Sequence, residues 1–132
     1  MAPLEADPHE WLLRADADLA VAVAVLRDPA LPDWAAGFHL QQAVEKALKA
    51  VLTAHGRPAP RTHDIALLSE TVELLVAALA GWGEKLLPLG EFSVTQRYPG
   101  APEPKLDLRR MADDVRAFLG AVRGETKPPS SP

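Results

Sequence analysis

The chain of 132 residues contains no cysteine, which excludes disulfide staples and thiolate metal sites. It contains no asparagine and only three glutamines, and its nine arginines outnumber its five lysines, a balance shared by thermophilic proteins and by GC-rich coding. No apolar run approaches the roughly 18 to 20 residues that a membrane span requires. The opening Met1-Ala2-Pro3-Leu4-Glu5-Ala6-Asp7 has no basic stretch followed by an apolar one, so no secretory signal is visible and the chain reads as cytoplasmic. Positive charge is also scarce. A net charge of −4 and a pI near 5.5 leave no global field to attract nucleic acid, so any RNA contact has to be local.

With 48% hydrophobic and 24% charged residues, the chain has the composition of a globular domain. At this length about two-thirds of the unfolded surface is buried on folding, enough for one core. Proline is plentiful, at thirteen residues, and it breaks helix interiors. The prolines leave four long blocks in which a helix is free to run: His9 to Asp28, Asp33 to Arg57, Arg61 to Leu87 and Lys105 to Lys127.

Each block carries a helical stripe. In the fourth, Leu108, Met111, Ala112, Val115, Phe118, Leu119 and Val122 share one face, with Asp107 as N-cap and Gly124 as stop. In the second, Leu40, Val44, Ala47, Leu48 and Val51 form the stripe, and small Ala43 and Ala50 allow another helix close approach. Its other face carries His39, Gln42, Glu45, Lys46 and Lys49. In the first, Leu12, Ala15, Leu19, Val23 and Leu26 make the stripe. The Ala20 to Val25 run is apolar nearly all round, which calls for burial on two sides and is met by a homo-oligomer. The third holds two helices or one bent one. Thr62, His63 or Asp64 caps its start, Ile65, Leu68, Val72, Leu75, Val76 and Leu79 form its stripe, and Gly81-Trp82-Gly83 interrupts it.

The expected architecture is all-α: an antiparallel up-and-down four-helix bundle with an extra short helix. The bundle is expected to span residues 1–124, with a disordered tail over 125–132. Between Leu87 and Lys105, four prolines and two glycines make an irregular connection, anchored by Phe92, Val94 and Tyr98.

Most common chemistries are missing. The four histidines, His9, His39, His55 and His63, lie in separate segments without Glu-x-x-His or His-Glu-x-x-His spacing, so no metal or other cofactor is expected. There is no phosphate loop, no Gly-x-Gly-x-x-Gly and no Gly-x-Ser-x-Gly elbow. Three candidate spots remain. Gln42, Glu45, Lys46 and Lys49 lie within two turns, either as a solvated face stapled by the Glu45 to Lys49 pair or as a ligand-binding one. Arg97-Tyr98 pairs a phosphate-binding guanidinium with a ring that stacks on a base, or else Tyr98 packs on the bundle and Arg97 caps carbonyls. His63-Asp64 is a helix cap or an acid/base pair.

Taken in order, Trp11-Leu12-Leu13-Arg14-Ala15, Phe38-His39-Leu40-Gln41-Gln42-Ala43-Val44-Glu45-Lys46-Ala47-Leu48-Lys49-Ala50, Thr62-His63-Asp64-Ile65 and Arg97-Tyr98-Pro99 resemble the HEPN family, named for a nucleotide-binding domain of higher eukaryotes and prokaryotes. The resemblance covers nearly the whole chain. It implies a dimeric four-helix bundle, often encoded beside a minimal nucleotidyltransferase in toxin-antitoxin modules. It also implies possible nucleotide or RNA binding at Arg97, Tyr98, Gln42, Glu45, Lys46, Lys49, His63 and Asp64.

Active HEPN toxins resemble one another as metal-independent ribonucleases. Their motif is an arginine followed, after four to six residues, by a histidine. After Arg97 those positions hold Pro102, Glu103 and Pro104, so the general acid/base is missing from its place. Arg57 and His63 have the right separation but lie before the third helix. The leading expectation is therefore an interaction module that partners a nucleotidyltransferase. A ribonuclease toxin using Arg97, or Arg57 with His63, is the alternative.

Overall fold

Four helices of useful length follow from the four blocks. In this computed structural model, which describes residues 7–93, 99–100 and 102–126, they are α1 (Pro8–Arg27), α2 (Asp33–Ala54), α3 (Ile65–Leu75) and α5 (Leu108–Thr126). A short α4 (Trp82–Leu86) is the fifth, and 3-10 turns at Ala77–Leu79 and Leu87–Gly90 flank it. No strand occurs among the described residues. The fold is the expected all-helical bundle.

Aspartate caps set where α1, α3 and α5 start. Asp7 accepts from the Glu10 amide at 2.8 Å and Pro8 occupies the first turn, where its missing N–H costs nothing. Asp107 accepts from the Arg110 amide at 3.1 Å. Of the three candidate caps for α3, Asp64 is the one, its Oδ1 accepting from Ala66 and Leu67 at 3.0 and 3.2 Å. The third block is indeed broken, but earlier than Gly81. Val76 turns extended (φ −133°, ψ 91°), and Gly81, in the left-handed region at φ 92°, starts α4. At the C-terminus, α5 passes through Gly124 and ends at Thr126, whose hydroxyl donates back to the Val122 carbonyl at 3.0 Å.

The centre of the bundle is α2, which packs on α1, α3, α5 and the second 3-10 turn. Being covered on most sides, it buries 13 of its 22 residues. All seven stripe residues of α5 are buried. On α1 the stripe is rotated from the expected one: Ala22 and Val25 are buried, whereas Val23 and Leu26 are only half-covered. The Ala/Val run offers no polar contrast to fix the face. Arg123 pairs with Asp16 midway along α1, and Arg109 reaches the Leu26 carbonyl near its end, so α5 runs antiparallel to α1.

One close approach fixes the irregular connection. The Phe92 ring lies on the face of Gly37 in α2, so near that a Cβ there would stand 2.4 Å from it. This explains a glycine in a helix interior, where it costs about 1 kcal/mol relative to alanine. Phe92 is thus an anchor, as expected; Val94 and Tyr98, named with it, lie outside the described residues.

Candidate functional site

The polar row of α2 is not a solvated face. Gln41, Glu45 and Lys49, at i, i+4 and i+8, are respectively 0%, 3% and 7% exposed. The correction has a simple cause: Lys49 lies under the Trp11 ring of α1, 5.6 Å from its centroid, and the loop before α3 closes over Glu45. Ionised groups so deeply buried persist only when paired and hydrogen-bonded.

Glu45 meets that requirement. Its Oε2 accepts from Lys49 Nζ at 3.1 Å, and its Oε1 from His63 Nδ1 at 2.9 Å and Gln41 Nε2 at 3.4 Å. Gln41 Nε2 also donates to the His63 carbonyl at 3.2 Å, and Gln41 Oε1 accepts from Gln42 at 2.7 Å. Gln41 therefore grips the histidine by its backbone while Glu45 grips it by its ring. A carboxylate only accepts, so opposite an ionised Glu45 the hydrogen of this bond sits on His63 Nδ1. The His63 side chain is 54% exposed.

That ring borders an open cleft of about 630 Å³ lined by Arg61, Thr62, His63, Asp64, Ile65, Ala66, Leu87, Gly90, Glu91 and Ser93. The volume lies within the range of small-ligand sites. Of the sequence-predicted residues, His63 and Asp64 line it, with Asp64 engaged as the α3 cap rather than paired with His63. Glu45 and Lys49 stand behind His63. Arg57 is exposed in the α2–α3 connection, with no side-chain bond to His63 among the described residues. Arg97 and Tyr98 lie outside the described residues; Ser93, at the cleft wall, is the last described residue before them.

A second polar cluster joins α1 to α2. Asp18, buried, accepts from His39 Nδ1 at 2.9 Å and from Lys46 Nζ at 2.5 Å. Lys46 is thus paired inward, toward α1. Asp18 was not singled out from sequence, although it left a trace: it interrupts the buried row Ala15, Ala22, Val25 at helical spacing. Among the described residues no three potential metal-binding side chains converge.

No curated protein and no solved structure matches the chain. The model of the HEPN domain, a family whose members commonly dimerise and pair with nucleotidyltransferases, matches residues 8–125. With the match running from the first turn of α1 to the last of α5, this chain belongs to the HEPN domain family.

Proposed function

We propose that this HEPN protein is a cytoplasmic, dimeric interaction module that partners a minimal nucleotidyltransferase in a toxin-antitoxin type pair. RNA or a nucleotide binds at its His63 cleft, with Arg97 and Tyr98 completing the contact and Gln42 behind it. The observation that carries the reading is an unpartnered strip on α1. Leu13, Ala17, Ala20, Val21 and Ala24 follow one another at helical spacing and are all exposed, Leu13 by 54% and Val21 by 42%. Small residues along such a strip let a second helix approach closely. The family's general link to nucleotides and RNA supports the ligand class.

The test is co-expression with a minimal nucleotidyltransferase, followed by light scattering of the purified product. A stoichiometric complex built on a dimer of this chain is expected. A monomeric chain that captures no such subunit overturns the reading.

One observation favours the ribonuclease alternative. Glu45 holds His63 as a carboxylate holds a general base, and His63 lines the cleft. On this reading Nε2 of the neutral imidazole takes the proton of an RNA 2′-hydroxyl as its oxygen bonds to phosphorus, the P–O5′ bond breaks, water protonates the leaving 5′-oxygen, and Arg57 or Arg97 binds the phosphate. End-labelled structured RNA incubated with wild type, His63→Ala and Arg97→Ala, with and without EDTA, separates the two. Cleavage that survives EDTA and vanishes in His63→Ala makes the protein an enzyme; intact RNA with all three leaves it a binding module.

A further inference from the structure

Three of the four arginines of α5 fall on one row. Arg109, Arg116 and Arg123 recur every seventh residue, about 10.5 Å apart along the helix, and so face one seam. That seam is the one with α1. The outer two are tied across it, Arg109 Nη2 to the Leu26 carbonyl at 2.7 Å and Arg123 to Asp16. The middle one is not. Among the described residues Arg116 Nη1 reaches only Asp113 on its own helix, at 3.3 Å, and both side chains are more than half exposed, a weak pairing.

Opposite Arg116 the seam opens into a groove of about 200 Å³, floored by Val23, Leu26 and Ala112 and rimmed by Arg27, Arg109, Arg116 and Asp113. Arg27 is exposed and its side chain has no partner among the described residues. Three guanidiniums against one carboxylate give a local surplus of two positive charges, in a chain whose net charge is −4. Capping of the α1 C-terminus accounts for Arg109; Arg27, in the last turn of α1, adds favourable charge at that helix end, and Arg116 has its exposed partner Asp113, so neither guanidinium is buried or closed to a ligand.

We propose that this groove is a phosphate-binding site, distinct from the His63 cleft, with which it shares no lining residue. A surplus of two charges matches a phosphate monoester dianion, or two successive phosphodiesters, better than one carboxylate. The planar forks of Arg27 and Arg116 suit phosphate oxygens bidentately. Arg109 is already held in place by a backbone carbonyl, which lowers the ordering cost of binding. The apolar floor receives the sugar of a nucleotide or of an RNA chain. The site stands whether or not a nucleotidyltransferase joins the protein and whether or not His63 cleaves RNA.

The test uses the full chain and two probes at about 50 mM salt: a fluorescein-labelled single-stranded oligo(U), followed by anisotropy, and 5′-UMP, followed by calorimetry. Arg27→Gln/Arg116→Gln is expected to weaken binding about tenfold or more. It is also expected to reduce the slope of log affinity against log salt for the oligonucleotide by about 1.4, since each lost phosphate contact on a single strand contributes about 0.7. Lys85→Gln, on α4, is expected to change neither. Thermal melting confirms that the variants are folded, as their exposed side chains predict.

Binding of UMP assigns the site to a terminal phosphate, and binding of the oligonucleotide alone assigns it to the phosphodiester chain. Failure of both probes to bind saturably, or equal binding by the double variant, overturns the proposal; an acidic protein segment is then the remaining occupant.

Discussion

Replacing Glu45 by alanine tests the buried network most directly. The side chain is 4% exposed and its partner Lys49 8%, so removal leaves an ammonium under the Trp11 ring with no anion beside it. It also strands the Nδ1–H of His63 and one of the two bonds of Gln41 Nε2. Breaking a buried pair in this way costs about 3–5 kcal/mol. Unfolding entropy of about 2.1 cal/mol/K per residue gives this chain of 132 residues about 0.28 kcal/mol/K, so each kcal/mol lowers Tm by about 3.6 °C. Glu45→Ala is therefore expected to melt about 10–18 °C below wild type.

Two companions separate charge from packing. Lys49→Met keeps the stem volume and leaves Glu45 accepting from His63 and Gln41, so it is expected to cost less than Glu45→Ala. In Glu45→Ala/Lys49→Met both charges are gone, and the loss is expected to fall well short of the sum of the singles, with a coupling of about 1–3 kcal/mol. Melting followed by circular dichroism, with urea titration for the free energies, reads all four proteins. A Glu45→Ala midpoint within about 3 °C of wild type refutes the reasoning, because Lys49 then finds water and the pair is not buried in any energetic sense.

Three further outcomes are expected. Gly37→Ala gains about 1 kcal/mol of helix propensity but drives a Cβ to 2.4 Å from the Phe92 ring, so urea denaturation is expected to show a net loss of about 1–2 kcal/mol; a stabilised variant contradicts the close packing. Asp64→Ala removes the α3 cap and is expected to cost about 1 kcal/mol by the same measurement, whereas Asp64→Ser, another capping residue, is expected to restore most of it. Leu13→Arg/Val21→Arg places two charges on the exposed α1 strip and is expected to turn a dimer into a monomer in light scattering. A dimer that survives both charges moves the interface elsewhere.

The legibility of this chain follows polar contrast. On α5, charged residues alternate with the apolar face at helical spacing, and all seven core positions and the Asp107 cap are readable without coordinates. On α1 the Ala20 to Val25 run has no such contrast, and the stripe is misplaced toward Val23 and Leu26. The polar row of α2 is the opposite failure. Charge at Glu45 and Lys49 argues for solvent, but α2 is covered from several sides, and its cover comes from Trp11 and His63, distant in sequence. A helix wheel carries no information about those neighbours. In the sequence, His63-Asp64 reads as one dipeptide with two competing roles. The structure divides them, giving Asp64 to the helix behind it and His63 to the helix beneath it.

That division explains why a costly ion pair sits where it does. A loop between two helices is free to swing, and ordering it has an entropic cost of about 1–2 kcal/mol per residue. Here the loop arrives at α3 with His63 fixed at two points, by Glu45 at the ring and Gln41 at the carbonyl, and Asp64 one residue later nucleates the helix. An apolar residue at position 45 fills the volume but gives His63 no acceptor, so the wall of the cleft then depends on the loop alone. Lys49 balances the charge that makes Glu45 a strong acceptor, and Trp11 shields Lys49. The chain of contacts from α1 through α2 to the start of α3 thus holds one imidazole by its Nδ1 at the wall of the cleft. Such ordering of a half-exposed side chain is what either binding or proton transfer at the cleft demands. It is the physical reason to place function at the His63 end of the bundle and not along the solvated face of α2 that the charges alone imply.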